Sequence, residues 1–157
     1  MLFLVFILSY IAYSDITKRK IYNKSIVFLL FITLWLNFIF PRAWSVELFS
    51  NIFLSFCIYF SLFLIFYVLK WMGAGDVKLG GALAILFGVN NFFVVWMISV
   101  LMLVVYVSLV KVFYIFGVEG LRRKFTFNDI GEKYIPYGAM LCFASLILIF
   151  KMEAGFD

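Results

Sequence analysis

Two aspartates stand apart from the rest of this chain's chemistry. Asp15 closes the first apolar run, and Asp76 opens another from within Gly73-Ala74-Gly75-Asp76-Val77-Lys78-Leu79-Gly80-Gly81. An ionisable side chain attached to a membrane-like apolar segment is expensive to keep there, so it marks a functional site by default. A pair of such acids suits hydrolysis. Close carboxylates resist ionising together, so one keeps its proton to polarise a carbonyl while the other draws a proton from water. The chain has no histidine. That excludes a His-Glu-x-x-His metalloprotease, any Ser–His or Cys–His nucleophilic pair and a histidine-held metal. The expected site uses neither a metal nor an organic cofactor.

The other acids, Glu47, Glu119, Asp129, Glu132, Glu153 and Asp157, lie in loops or at the end of the chain, where solvation accounts for them. A purely structural reading of the pair is helix capping, or ion pairing with Lys18 or Lys78. Capping suits Asp76 at a helix start. It leaves Asp15 unexplained, because the end of a helix disfavours an anion.

The elements that must position these acids are membrane helices. Of the 157 residues 67% are hydrophobic and 13% charged, with a mean hydropathy of +1.15. The apolar residues come in unbroken runs without the alternation of a β-barrel. Six runs are predicted as helices: 1–16, 25–40, 48–69, 76–89, 92–116 and 134–150. Pro41-Arg42-Ala43-Trp44 is the break after the second, and Asn90-Asn91 the turn between the fourth and fifth. Gly80, Gly81 and Gly88 would allow close packing and place the fourth helix at the bundle centre. Cys57 and Cys142 sit inside apolar runs as small core residues, with no Cys-x-x-Cys pair.

The fourth run is short. As a helix it covers roughly 20 Å of a roughly 30 Å hydrocarbon core, so a re-entrant hairpin competes with a span. Charge decides between them. With six spans, eleven of the thirteen basic residues fall on one side, and only Arg42 and Lys151 on the other. The positive-inside rule then puts both termini outside and both aspartates at cytoplasmic helix ends. The net charge of +5 is explained by this orientation and not by nucleic-acid binding. The basic loops also suit contact with membrane lipid.

Gly73-Ala74-Gly75-Asp76-Val77-Lys78 resembles the Gly-x-Gly-Asp-x-Lys element of the type IV prepilin peptidases, members of the GxGD intramembrane aspartyl proteases. Asp15-Ile16-Thr17-Lys18-Arg19-Lys20-Ile21-Tyr22-Asn23 resembles the family's first-aspartate stretch, with Tyr22 where proline is usual. Ile135-Pro136-Tyr137-Gly138 resembles the element that opens the family's last helix. The resemblance implies that Asp15 and Asp76 are the catalytic pair. It also implies cleavage of the short basic leader of type IV prepilins or pseudopilins, after a glycine, at the cytoplasmic face of the inner membrane. Nothing precedes the first run, so the chain resembles the short, peptidase-only members of tight-adherence (Flp-type) pilus systems. The expectation is a single transmembrane peptidase domain over 1–157, without an N-terminal cytoplasmic methyltransferase or zinc domain.

Around the pair, Gly73 and Gly75 are expected to let a substrate strand or the first helix approach Asp76. Lys78, two positions from Asp76, does not share its helix face and is expected to snorkel to the headgroups. Pro136 and Tyr137 are expected to shape the start of the last helix, with Gly138 beside them. The rival readings are a preflagellin-type peptidase, a non-catalytic membrane subunit of a pilus or secretion assembly, and a small transporter using the two aspartates as a proton relay.

Overall fold

The structure, a computed structural model, describes residues 2–18, 20–39, 49–116, 136–153 and 155. Every regular element among them is helical: α1 (Leu2–Lys18), α2 (Asn23–Ile39), α3 (Phe49–Val68), α4 (Ala74–Ile115) and α5 (Tyr137–Glu153). The predicted breaker at 41–44 and the basic loop carrying Glu119, Arg122, Arg123, Lys124, Asp129, Glu132 and Lys133 lie outside the described residues.

α4 merges the predicted fourth and fifth helices, and it is not a straight rod. Gly88 interrupts it with φ 72° and ψ −179°, a conformation open essentially to glycine alone. The Tyr137 hydroxyl lies 3.4 Å from Ser99 Oγ. The next residue, Gly138, stands against Asp76, whose Oδ1 is 2.8 Å from where a Gly138 Cβ would be. Twenty-three residues of straight helix would hold Asp76 and Ser99 roughly 35 Å apart. The two limbs, residues 74–87 and 89–115, therefore fold back on each other at Gly88. The turn is made at Gly88 and not at Asn90-Asn91, which are helical. Asparagine tolerates a turn, but the backbone angles needed here exclude a Cβ.

The first limb is the centre of the molecule. Val77, Leu79, Ala82, Leu83, Ala84, Leu86 and Phe87 are all buried, and α2, α3 and α5 pack against α4. Gly80 and Gly81 make this possible. A Cβ on Gly80 would run into the Phe63 ring, and one on Gly81 would meet Phe56 at 3.0 Å and Phe60 at 3.2 Å. The aromatic face of α3 thus lies directly on the α4 backbone. Where the first limb ends, its carbonyls lose their helical partners. Ser55 Oγ, also 2.7 Å from the Ile52 carbonyl, reaches the Ala84 carbonyl at 3.0 Å, and across the reversal Tyr59 OH donates to the carbonyl of Val89, the first residue of the second limb, at 2.8 Å.

The outer surface is apolar. Phe3 (75% exposed), Phe31, Trp35, Phe53, Ile65, Leu101 and Phe150 all face outward, on five different helices. Patches of this extent do not occur on a water-soluble monomer. Within Ala74–Val112 an 18-residue stretch reaches a mean hydropathy of 2.7, long and apolar enough to cross a membrane, and Asn23–Trp35 and Ile52–Val68 are shorter apolar helices. The protein is an all-α, membrane-associated bundle.

Candidate active site

The approach to Asp76 is built by two consecutive turns. α3 ends with Lys70 in the left-handed region at φ 61°. Trp71 N donates to the Phe66 carbonyl at 3.0 Å and Lys70 N to the Tyr67 carbonyl at 2.9 Å, a Schellman arrangement. Phe66 and Trp71 stack across it, with centroids 5.9 Å apart. The chain then reaches Gly73, whose carbonyl accepts from the Asp76 amide at 3.0 Å. In return the Gly73 amide donates to Asp76 Oδ2 at 3.2 Å. This is the carboxylate half of a capping box, with the acid at the third helical position; Gly73 has no side chain to supply the other half. Asp76 therefore caps its own helix with one oxygen and keeps Oδ1 for other use.

Asp15 lies in the last turn of α1 and is buried, at 7% exposure. Its own helix offers no favourable terminus. The first turn of α5 does: Ala139 N donates to Asp15 Oδ2 at 2.8 Å. The amides that open a helix have no partner within it, and they sit at the positive end of its dipole. The difficulty of an anion at the end of α1 is thus resolved by the start of α5. The neighbouring Gly138 amide gives Asp76 a hydrogen bond.

The two carboxylates meet over Gly138. Asp76 Oδ1 is 2.8 Å, and Asp15 Oδ2 3.1 Å, from the point where a Gly138 Cβ would stand. Ile21 completes the cluster, its Cδ1 2.6 Å from that same point and its Cβ 3.1 Å from the corresponding point on Gly75. The neighbour at Gly75 is thus Ile21, in the link between α1 and α2, and not α1 itself. Gly73 is exposed beside Asp76 Oδ2. Lys78 is exposed too, but its Nζ donates to Asn23 Oδ1 at 3.0 Å. It ties α4 to the start of α2 instead of only reaching for headgroups.

Pro136 and Tyr137 start α5 as expected. The Pro136 carbonyl accepts from Met140 N at 3.3 Å, and buried Tyr137 packs edge-on to Phe63 at 6.4 Å between centroids. At Tyr22, which replaces the usual proline, the carbonyl accepts from Ser25 N at 3.0 Å and Ile26 N at 3.3 Å, opening α2. Ala139 and Ser99 carry no signal in the sequence that would have marked them, and Ile21 is marked only as part of the 15–23 stretch, with no role attached. Gly138 did carry one, in the glycine that directly follows Pro136-Tyr137. Among the described residues, no three His, Cys, Asp or Glu side chains gather as a metal site would require.

A family model of type IV leader peptidases matches residues 2–108, a stretch that includes both Asp15 and Asp76. The chain belongs to the type IV leader peptidase family. It is thereby one of the aspartic-type endopeptidases called prepilin peptidases. No curated protein and no solved structure matches this leader peptidase significantly. The family match ends before α5, whose first turn supplies the amides that hold both carboxylates.

Proposed function

We propose that Asp15 and Asp76 are the catalytic pair of a membrane-embedded endopeptidase. It removes the short basic leader of type IV prepilin or pseudopilin-like substrates after a glycine. The observation that carries this reading is the meeting of two carboxylate oxygens over the bare backbone of Gly138. Capping explains Asp76 Oδ2 but not the convergence of Oδ1 with Asp15, so a structural role alone leaves the arrangement unaccounted for.

In the proposed mechanism the pair shares one proton. The protonated carboxyl donates to the scissile carbonyl oxygen, while its ionised partner takes a proton from water. The water oxygen attacks the carbonyl carbon to give a tetrahedral intermediate. Its collapse breaks the C–N bond: one hydroxyl proton returns to the carboxylate that first gave it, and the proton held by the base passes to the leaving amine. The α5 amides keep the carboxylates oriented through these steps, which limits reorganisation at the reacting atoms.

The membrane setting proposed is a six-span bundle made of α1, α2, α3, the two limbs of α4, and α5, with both termini outside. The reversal at Gly88 supports counting α4 twice. The ends of α1 and α3 and the starts of α2, α4 and α5 gather around the pair, and Lys18, Lys20, Lys24, Lys70 and Lys78 lie at that end. This supports a site at the cytoplasmic face of the inner membrane. The test is co-expression with a prepilin bearing a short basic leader that ends in glycine, scored by mobility shift. A shifted product with the wild type and none with Asp15→Asn or Asp76→Asn is the expected result.

A further inference from the structure

We propose that Ile21 fills the seat taken by the substrate backbone during cleavage, so that residues 20–22 form a displaceable cover over the carboxylate pair. This rests on the reading of Asp15 and Asp76 as catalytic.

Attack requires the scissile carbonyl and a water to lie within about 3–3.5 Å of each other, between the two acids. That space is already occupied. Ile21 Cδ1 and the two carboxylate oxygens all crowd the same bare face of Gly138, and Ile21 Cβ lies against Gly75. Asp15 is correspondingly buried. Something must leave before a peptide can enter. Asp15, Gly75, Asp76 and Gly138 all belong to helices, whereas residues 20–22 are the non-helical link between α1 and α2. Moving this link gives up at most the two bonds that open α2 at the Tyr22 carbonyl, from Ser25 N at 3.0 Å and Ile26 N at 3.3 Å, and leaves the rest of both helices intact.

Two side-chain hydrogen bonds hold the link down. Ser14 Oγ donates to the Lys20 carbonyl at 2.9 Å, and Lys78 Nζ donates to Asn23 Oδ1 at 3.0 Å in an exposed position. Bonds of this kind contribute little net stability, and the exposed one exchanges readily with water. The seat beneath is lined by two glycines, which present bare backbone to whatever replaces Ile21. An extended peptide segment fits that description. At rest, the apolar Ile21 side chain keeps water off the pair.

The experiment bridges the latch. Asn23→Cys and Lys78→Cys are combined in a Cys57→Ser background and joined by a short bis-thiosulfonate linker that a reductant releases. Two readouts follow: prepilin cleavage, and modification of Asp15 and Asp76 by an apolar carbodiimide, located by mass spectrometry. Bridging should lower kcat/KM by about a hundredfold or more relative to the same protein after reduction, since a closed cover excludes substrate outright. Carbodiimide modification should fall and recover in parallel. Equal cleavage or equal modification in the bridged and released states overturns the cover. If neither wild type nor released variant cleaves a prepilin, the catalytic reading fails, and the modification readout still decides whether the link moves. Ile21→Ala should lower KM without lowering kcat and speed modification, with Ile21→Leu restoring wild-type behaviour. A fall in kcat at unchanged KM would make Ile21 a support of the pair and sink the proposal.

Discussion

The Asp15 carboxylate and the Ala139 amide are 124 positions apart in the chain and 2.8 Å apart in space. This contact reverses the electrostatic sense of Asp15. Counted within α1 it is an anion at the wrong end of a dipole. Counted within the bundle it sits at the start of α5, where an anion is favoured. The same helix start serves Asp76 through Gly138. One helix terminus therefore orients both acids, and its integrity is as much a part of the site as the acids themselves.

Replacing either acid by its amide keeps size and most hydrogen bonding but removes proton exchange. Asp15→Asn and Asp76→Asn should each reduce leader cleavage by about 10²–10⁴-fold, the usual range for loss of an acid–base group. Both variants should still insert and extract normally. Near-normal turnover by either one, measured on a substrate the wild type cleaves, would rule out the pair mechanism.

The glycines predict a graded series. Gly138→Ala places a methyl group against Ile21 and both carboxylates, so cleavage should be lost, with a stability loss of about 1–3 kcal/mol from overpacking. Gly75→Ala meets Ile21 alone, at 3.1 Å, and should be milder. Gly80→Ala collides with Phe63, away from the acids, and should lower thermal stability, with Phe63→Leu in the same chain relieving it. Melting temperature and cleavage rate measured on all three check the order. Equal activity for Gly138→Ala and wild type would contradict the crowding at that position.

Two carboxylates at such close quarters lose their protons in two steps that belong to the pair and not to either residue. Activity should follow a bell, falling at low pH when both are protonated and at high pH when both are ionised. The exposed Lys78 cation lies two residues from Asp76 and should influence the upper limb, which Lys78→Gln separates from the repulsion within the pair. Chelators should leave the profile unchanged. A profile flat on both sides, or activity lost in chelator and restored by a divalent ion, would count against the dyad.

Topology is open to chemical labelling. A cysteine placed at Asn90, exposed just beyond the Gly88 reversal, should react with an impermeant thiol reagent from outside. One placed at Lys20 should react only from the cytoplasm. Labelling of Asn90→Cys solely from inside would convert the first limb of α4 into a re-entrant hairpin.

Much of this arrangement is legible in the chain. The absence of histidine, the two acids beside apolar runs and the glycines around Asp76 point to a carboxylate pair from the sequence alone. The helical segments follow from the apolar runs, because lipid-facing helices need not alternate polar and apolar faces. The sequence points to Asn90-Asn91 for the reversal in α4, because asparagine pairs resemble a polar turn. It points to packing for Gly88, since nothing local distinguishes a glycine that packs from one that bends. The roles of Ile21, marked only as part of the 15–23 stretch, and of Ala139 are illegible for a different reason. Their roles come from three helix ends that meet only in the folded bundle, and an isoleucine or alanine in an apolar protein carries no local mark of it.

The dependence of both acids on the first turn of α5 also orders the protein's biosynthesis. Asp15 and Asp76 emerge from the ribosome long before Gly138 and Ala139, and until α5 inserts Asp15 lacks the Ala139 amide and Asp76 has only the Gly73 amide at the start of its own helix. If the two acids are the catalytic pair, a nascent chain holding α1 to α4 should be inactive. The geometry proposed for cleavage would then be complete only with the helix made last among the five.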